Sequence, residues 1–508
     1  MTSRILGLVR EQVLAALFGA TDAIDAYFVA FRIPNLMRDL FAEGAMSAAF
    51  VPTFTKHLTT EGKTSAWRLG NNVFNALLVV TGVLVIAGIV FAGPIVRAFA
   101  GDYASVPGKF ELTVSLARIM LPMLTFVALA AAVMGMLNSL HHFFIPALSP
   151  AMFNVVTIIA GLAVVPFAGT IGVNAITIIA FSTLIGGVAQ LALQWPLLRR
   201  EGFSWRPHLD WRDPGLRRVL VLMGPGTIGL AATQVNVFVN TVLATTEGTG
   251  AVSWLSYAFR IMYLPIGLFG VSIATAVLPA VSRQAAVNDD AAVRTTIAGG
   301  MSLMMMLNVP ATVGLVVLAE PIVRLLFERG EFTAIDTANT ALAVQFYALG
   351  LIGYSVVRIA SPAFYALGQN RTPVKVSIAT VLVNALLALV LVRTMGFGGL
   401  ALGTSLAALF NAGSLLVLLG RRLGGLESRR IAGSLARITV AAAAMGIVAW
   451  ATLGWLTAVW PDGDLVPQAA RLFGAIGAAL VALAAAAWML RIREFNEGLS
   501  LVTRRLRR

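Results

Sequence analysis

Long apolar runs, each of a length to cross a bilayer and separated by short polar breaks, follow one another along almost the whole of this 508-residue chain. About 20 apolar residues cross a hydrocarbon core of about 30 Å as a helix, which satisfies its own backbone hydrogen bonds where no water is present. Reading the runs against Gly, Pro and charged breakers predicts spans at 2–19, 24–54, 71–100, 112–138, 146–166 and 171–198. Six more follow at 218–246, 251–281, 297–318, 336–367, 374–393 and 398–420, and a final two at 432–460 and 468–490. The composition agrees: 58% of residues are hydrophobic and 12% charged, against about 45–50% and about 25% in soluble domains. The predicted fold class is all-α, a polytopic membrane protein of about 14 transmembrane helices in two six-helix lobes plus two C-terminal helices.

The predicted organisation is a first lobe over 1–200, a second over 215–422, an extra helix pair over 431–492 and a basic cytoplasmic tail over 493–508. The net charge of +14 would suggest nucleic acid in a soluble protein. Here the basic residues sit between spans, as in RREGFSWRPHLDWRDPGLRR and RRLGGLESRR, so no nucleic-acid partner is expected. Connections after even-numbered spans, with the C-terminal tail, hold about two dozen Lys and Arg, and those after odd-numbered spans about five, which places both termini in the cytoplasm. The chain has no cysteine and four scattered histidines, so no metal site is assigned. No ATP-binding motif is evident and no cofactor is expected; the chain is read as a transporter and not an enzyme. The opening MTSRILGLVREQVLAALFGA is read as a first membrane helix and not a secretory signal, because Glu11 interrupts the run and further spans follow.

The segment DAYFVAFRIPNLMRDLFAEGAMSAAFVP from Asp25 is echoed by VSWLSYAFRIMYLPIGLFGVSIATAVLP from Val252. Both contain AFRI and both close on a hydrophobic-Pro pair, at Pro52 and Pro279, an offset near 228 that Pro146 and Pro373 share. Two halves that start on the same side are parallel repeats, an arrangement suited to alternating access.

A charged side chain at mid-bilayer costs at least about 2.5–3.5 kcal/mol, so such residues usually line a cavity or pair with one another. The first two spans hold Arg4, Arg10, Glu11, Asp25, Arg32, Arg38, Asp39 and Glu43. Asp25, Arg32 and Asp39 recur at seven-residue spacing, with Asn35 and Glu43 near the same helical stripe, and Pro34 is expected to kink that helix. Arg4 is close enough to the terminus to snorkel. Arg32 is either a cavity cation or a structural partner of Asp25 or Asp39. Arg10 and Arg260 lie deeper in their spans; Arg118 and Arg358 are further intramembrane cations. A guanidinium fork matches phosphate oxygens, so an excess of arginines favours an anionic cargo.

With SRILGLVRE, FGATDAIDAYFVAFRIPNLMRDLFAEGAMSAAFVP, GPGTIG, VSWLSYAFRIMYLPIGLFGVSIATAVLP and RTPVKVS in view, the chain resembles the MurJ/MviN family of lipid II flippases, within the superfamily of multidrug exporters and polysaccharide flippases. The resemblance implies two six-helix lobes around a cationic cavity, with the helices of 431–492 forming a groove for a lipid tail. It implies lipid II, undecaprenyl diphosphate carrying the disaccharide-pentapeptide of peptidoglycan, as the partner within the bilayer. The cargo passes from the inner to the outer leaflet of the bacterial plasma membrane, and cell-wall synthesis or division proteins are candidate partners. Its substrate-binding positions fall on Arg4, Arg10, Arg38, Arg260, Asp25, Asn35 and Glu43, with Arg32, Asp39, Arg118 and Arg358 as additional cavity candidates.

The chain departs from the family pattern at several points. About a dozen residues usually precede the SR pair, so this N-terminus is expected to be shortened or to start at a misassigned methionine. Glu11 stands where Asp is common, Asp39 where a second basic residue is common, and Phe259 and Tyr263 where some members carry acidic residues. Members that bind sodium use acids in the seventh and eleventh helices; this chain has Asn240 and Ala388 there, leaving Asn240, Asn384 and Thr404 as weak oxygen ligands. Alternative readings are a flippase for another polyprenyl-diphosphate glycan, which the same arginines would serve, and an ion-coupled drug antiporter, which would depend on Asp25 or Glu43.

Overall fold

The protein is described by a computed structural model covering residues 2–39, 45–460 and 465–496. Every regular element among them is helical, as the membrane composition predicts. Glu43, expected in the polar stripe, lies outside the described residues.

The chain divides into two compact units, Met1–Ser253 with Arg329–Phe332, and Trp254–Glu328 with Thr333–Arg508. The first contains α1 (Thr2–Phe18), α2 (Asp22–Arg38), α3 (Ala45–Thr60), α4 (Lys63–Val90), α5 (Ala92–Ala100), α6 (Lys109–Met120), α7 (Met123–Ser139), α8 (Phe144–Ile159), the short α9 (Ala168–Ile171), α10 (Ala175–Arg200) and α11 (Pro214–Thr245). α12 (Ala251–Pro265) opens in the first unit and leads into the second, which holds α13 (Val271–Ala286), α14 (Asp290–Val317), α15 (Ala319–Phe327), α16 (Ala334–Ala366), α17 (Arg371–Met395), α18 (Phe397–Leu423), α19 (Ser428–Val459) and α20 (Leu465–Met489).

Among the described residues, ten helical segments are long and apolar enough to cross a membrane. Most of the rest are short: α1, α2, α3, α12 and α13 have 15 to 17 residues each. Of these, α1, α2 and α12 carry Arg10, Arg38 and Arg260, while Arg118 and Arg358 lie on α6 and α16 within the ten.

One predicted span ends early. The stretch 71–100 stops at Val90, and Ala92–Ala100 forms a separate helix; α14 stops at Val317, within a residue of the expected end at 318, and α15 follows over residues assigned to no span. In each, AGPIVRAFA and AEPIVRLLF, a proline falls in the first turn, where its missing N–H leaves no bond unmade. One face of each is buried, through Val96 and Phe99 or Val323 and Phe327. α4 and α14 both have 28 residues and α5 and α15 both have 9, and Lys63 and Asp290 stand 227 residues apart. The repeat read from AFRI and the proline pairs therefore extends to α4 with α14 and to α5 with α15, the latter two sharing the run Pro-Ile-Val-Arg.

Without a hydrophobic drive between helices in lipid, close packing relies on small residues and cross-helix hydrogen bonds. In the second unit α16 lies against α18, where a Cβ on Gly353 would meet the Ala408 carbonyl carbon at 2.6 Å and one on Gly350 would meet Ser405 Oγ at 2.7 Å. Ser405 Oγ also donates to the Phe346 carbonyl at 2.7 Å. In the first unit Gln194, on α10, donates to the Ala130 carbonyl at 3.2 Å and to Ser149 Oγ at 2.9 Å.

The segment after α10 is held by three asparagines of α4. Asn71 accepts from the Arg206 N–H and donates to the Ser204 carbonyl, each at 2.9 Å. Asn72 makes the same two-way pairing with Asp210, both bonds 2.8 Å. Asn75 donates to the carbonyls of Arg206 and His208 and accepts from Trp205 Nε1 at 3.0 Å. Side-chain amides thus stand in for the ladder partners that an extended segment lacks.

Candidate functional site

In the first unit the most deeply placed arginine is Arg10, buried on α1 beside buried Glu11. Its guanidinium meets the Glu11 carboxylate at 2.5 Å and lies 5.2 Å from the centre of the Phe153 ring. Phe153 stacks on Phe31 with ring centres 5.6 Å apart, and Phe31 on Tyr27 at 5.8 Å. The Tyr27 hydroxyl is 3.0 Å from Thr183 Oγ1. An aromatic ladder from α2 and α8 therefore fixes the plane of the guanidinium, and the adjacent carboxylate lowers the cost of keeping a cation out of water. Arg4, two turns nearer the terminus, is exposed.

Arg38 closes α2 and is likewise held by its neighbour in sequence: its Nη2 and Nε lie 2.9 and 3.2 Å from the same Asp39 oxygen. The other Asp39 oxygen accepts from Gln234 Nε2 at 3.2 Å. Asn35, on the same turn, has a buried side-chain oxygen with no hydrogen-bond partner among the described residues. Arg10 and Arg38 are thus both parked on the next residue's carboxylate, an arrangement that an incoming anion can share.

Asp25 was expected among the substrate-binding positions of the polar stripe. It is completely buried, and both oxygens are engaged: Lys109 Nζ at 3.2 Å, the Gly250 N–H at 2.7 Å, the Ser253 N–H at 3.1 Å and Ser253 Oγ at 2.5 Å. Lys109 also reaches Asp22 at 2.6 Å and lies 4.1 Å from the centre of the Tyr103 ring, and Thr249 Oγ1 donates to Asp22 at 2.6 Å. Of the two carboxylates expected as partners for Arg32, Asp25 takes Lys109 and Asp39 takes Arg38. Seven residues are about 10 Å of helix rise, too far for an ion pair along one stripe. Arg32 itself is exposed. Arg118 is exposed and donates through Nε to the Ile89 carbonyl at 3.3 Å, near the end of α4.

Lys109 was not among the residues singled out from the sequence. A signal for it existed: it is one of the few cations on the side where basic residues are depleted, directly before a membrane helix. The Asn71, Asn72 and Asn75 cluster was equally legible as three amides on one helix and was also passed over.

In the second unit Arg260 is part-buried on α12; on the same helix the rings of Phe259 and Tyr263 stack with centres 5.7 Å apart. Arg358, on α16, donates to the Tyr263 hydroxyl at 3.0 Å. The weak sodium ligands divide between the units, Asn240 in the first and Asn384 and Thr404 in the second. Asn240 Nδ2 lies 3.3 Å from Asn236 Oδ1, and Thr404 Oγ1 donates to the Leu400 carbonyl at 2.8 Å. Among the described residues no three His, Asp or Glu side chains gather as a metal site.

The family model described as lipid II flippase MurJ matches residues 14–470. A protein named "Probable lipid II flippase MurJ" from Vibrio cholerae is 32% identical over 503 residues, covering 97% of this chain and 94% of that one. The lipid II flippase MurJ of Burkholderia cenocepacia is 35% identical over 430 residues, covering 84% and 82%. Among solved structures, a lipid II flippase MurJ in an inward closed conformation superposes with a TM-score of 0.78 at 25% identity, over 96% of this chain and 97% of that one. An inward-facing multidrug transporter of the MATE family gives 0.71 at 16% identity over 84% and 96%, a likeness of fold alone. The chain is therefore a multi-pass bacterial membrane protein of the transporter class, and it belongs to the lipid II flippase MurJ family.

Proposed function

We propose that this protein moves lipid II from the cytoplasmic to the outer leaflet of the plasma membrane by alternating access, with no covalent step, and that both termini face the cytoplasm. Arg4, Arg10 and Arg38 of the first unit and Arg260 of the second are the cations proposed to take the diphosphate. Arg32, Asp39, Arg118 and Arg358 are held as secondary contacts, and the apolar helices α19 and α20 as shelter for the prenyl tail.

The observation that carries this reading is the placement of Arg10, a buried guanidinium inside a membrane helix, oriented by an aromatic ladder and held on Glu11. A diphosphate leaving water needs compensating charge, and a guanidinium supplies it with two parallel donors in a geometry that a phosphate oxygen pair matches. Glu11 and Asp39 keep their arginines compensated between cargoes, so no bare cation is stranded in low dielectric. In this reading Asn35 offers its amide to the cargo's polar groups, while Asp25 acts through Lys109 and the Gly250–Ser253 turn and does not touch the cargo.

The test is complementation of a bacterium depleted of its own lipid II flippase, with lipid II export and membrane insertion both measured. Arg10→Ala and Arg260→Ala are expected to abolish export while insertion stays normal. Full export with both arginines removed would overturn the reading.

A further inference from the structure

We propose that Phe259, Tyr263 and Arg358 form a sugar-binding platform in the second unit that takes a pyranose ring of the cargo's glycan; this deepens the lipid II reading and rests on it. Phe259 and Tyr263 stand one turn apart on α12, with ring planes 30° apart and the residues 37% and 38% exposed. Phe259 is backed edge-on by Tyr347 at 5.5 Å, which fixes its orientation. Arg358 donates to the Tyr263 hydroxyl at 3.0 Å, so a guanidinium and a phenol lie at the rim of an aromatic surface.

Position argues that this surface meets water and cargo, not lipid. Arg260 is nine residues into α12, about 14 Å of rise, near the middle of a core of about 30 Å. Two arginines and a tyrosine hydroxyl at that depth are costly against hydrocarbon. The backbone gives a second, independent sign: α12 ends at Pro265 and passes through a π-helical turn, Ile266–Gly270, before α13 begins. Irregular backbone at membrane depth is tolerated where it lines a cavity or is buried in protein, and π turns cluster at functional sites. At this turn a Cβ on Gly270 would stand 3.5 Å from Arg358 Cδ, so the arginine passes directly over the break.

The chemistry selects a sugar. A pyranose presents C–H groups on its faces and hydroxyl or acyl oxygens at its edge. An aromatic pair accepts the first, and Arg358 with the Tyr263 hydroxyl takes the second. A prenyl chain would have no use for the polar rim, and a diphosphate none for the stacked rings.

The experiment measures binding of two lipids to the purified full chain in nanodiscs: lipid II, and undecaprenyl diphosphate without sugar. Phe259→Leu and Tyr263→Leu are each expected to weaken lipid II binding at least tenfold, with sugar-free binding unchanged within twofold and thermal stability preserved. Tyr263→Phe, which keeps the ring and loses the hydroxyl, is expected to weaken lipid II about threefold. Equal weakening for both lipids would overturn the platform, since it would mark a prenyl or phosphate contact, and so would unchanged lipid II binding. Failure of the wild-type chain to bind either lipid would overturn the flippase reading and the platform with it.

Discussion

Lys109 holds its ammonium 3.2 Å from Asp25, with the lysine side chain 2% exposed and the aspartate 0%. Asp22 stands on its other side at 2.6 Å, and Asp25 also receives two backbone N–H groups from the Gly250–Ser253 turn. One buried carboxylate thereby ties together the starts of α2 and α6 and the Gly250–Ser253 turn that opens α12.

Removing one member of a buried pair strands the other, at a cost of about 3–5 kcal/mol. Lys109→Ala is expected to lower the thermal stability of the detergent-solubilised protein sharply. Ser253→Ala removes one hydroxyl donor and leaves the backbone N–H in place, so its loss should be about 1 kcal/mol. A Lys109→Ala protein as stable as wild type, followed by thermal melting, would show that the pair does not hold these elements.

The asparagine clamp on α4 predicts a local effect. Asn72→Ala deletes both bonds to Asp210 and leaves that segment's N–H and carbonyl without their partner, about 1–3 kcal/mol. Because the loss is confined to the strap, protease cleavage after Arg206 and Arg212 should quicken well before global melting shifts.

Arg10→Lys keeps the charge but replaces a planar fork by a point cation. It also loses the stacking on Phe153. Export of lipid II is expected to fall about tenfold, the equivalent of about 1.4 kcal/mol, with expression and melting temperature near wild type. Undiminished export would mean that charge alone, and not the fork, serves the cargo.

Gly353 packs against the backbone at Ala408. Adding a methyl there forces α16 and α18 apart, with an expected cost of about 1–3 kcal/mol. Gly299, where a Cβ meets nothing within 4 Å, is the matched control on α14. Melting of Gly353→Ala and Gly299→Ala side by side separates close packing from the general effect of a glycine in a helix.

Glu201, at the end of α10, has its carboxyl held below the ordinary glutamate range by hydrogen bonds from His142 and then Lys63. A depressed folded-state value means that the stabilisation is present above the unfolded value, about 4.3, and is lost as pH falls through the folded one. Glu201→Gln should therefore lower the melting temperature slightly at pH 7, where the stabilisation is present, and match wild type well below about pH 4.3, so that the acid decline is flatter. An unaltered acid limb in a pH series of melts would count against the pairing.

The helices and their approximate number were legible because the bilayer imposes a one-dimensional constraint: each span must be apolar along a set length, whatever it packs against. The second repeat was visible at AFRI and the prolines for a related reason, since those residues shape a helix locally. The short amphipathic α5 was absorbed into the span 71–100 and α15 was assigned to no span, because an apolar run does not by itself reveal where a helix stops and a new one starts. In the candidate site, the arginines stood out because charge within a span is costly and therefore conspicuous.

The sequence by itself determined the class of fold, the kinship and which helices carry charge. Only the tertiary structure decided which charges meet. Lys109 is 84 positions from Asp25, and Gly250 is 225 from it; no helical period links them, and the nearer Arg32 on the same stripe is about 10 Å of rise away. Pairing depends on which helices pack side by side, and that follows from the sum of many small van der Waals and hydrogen-bond terms, not from any local pattern.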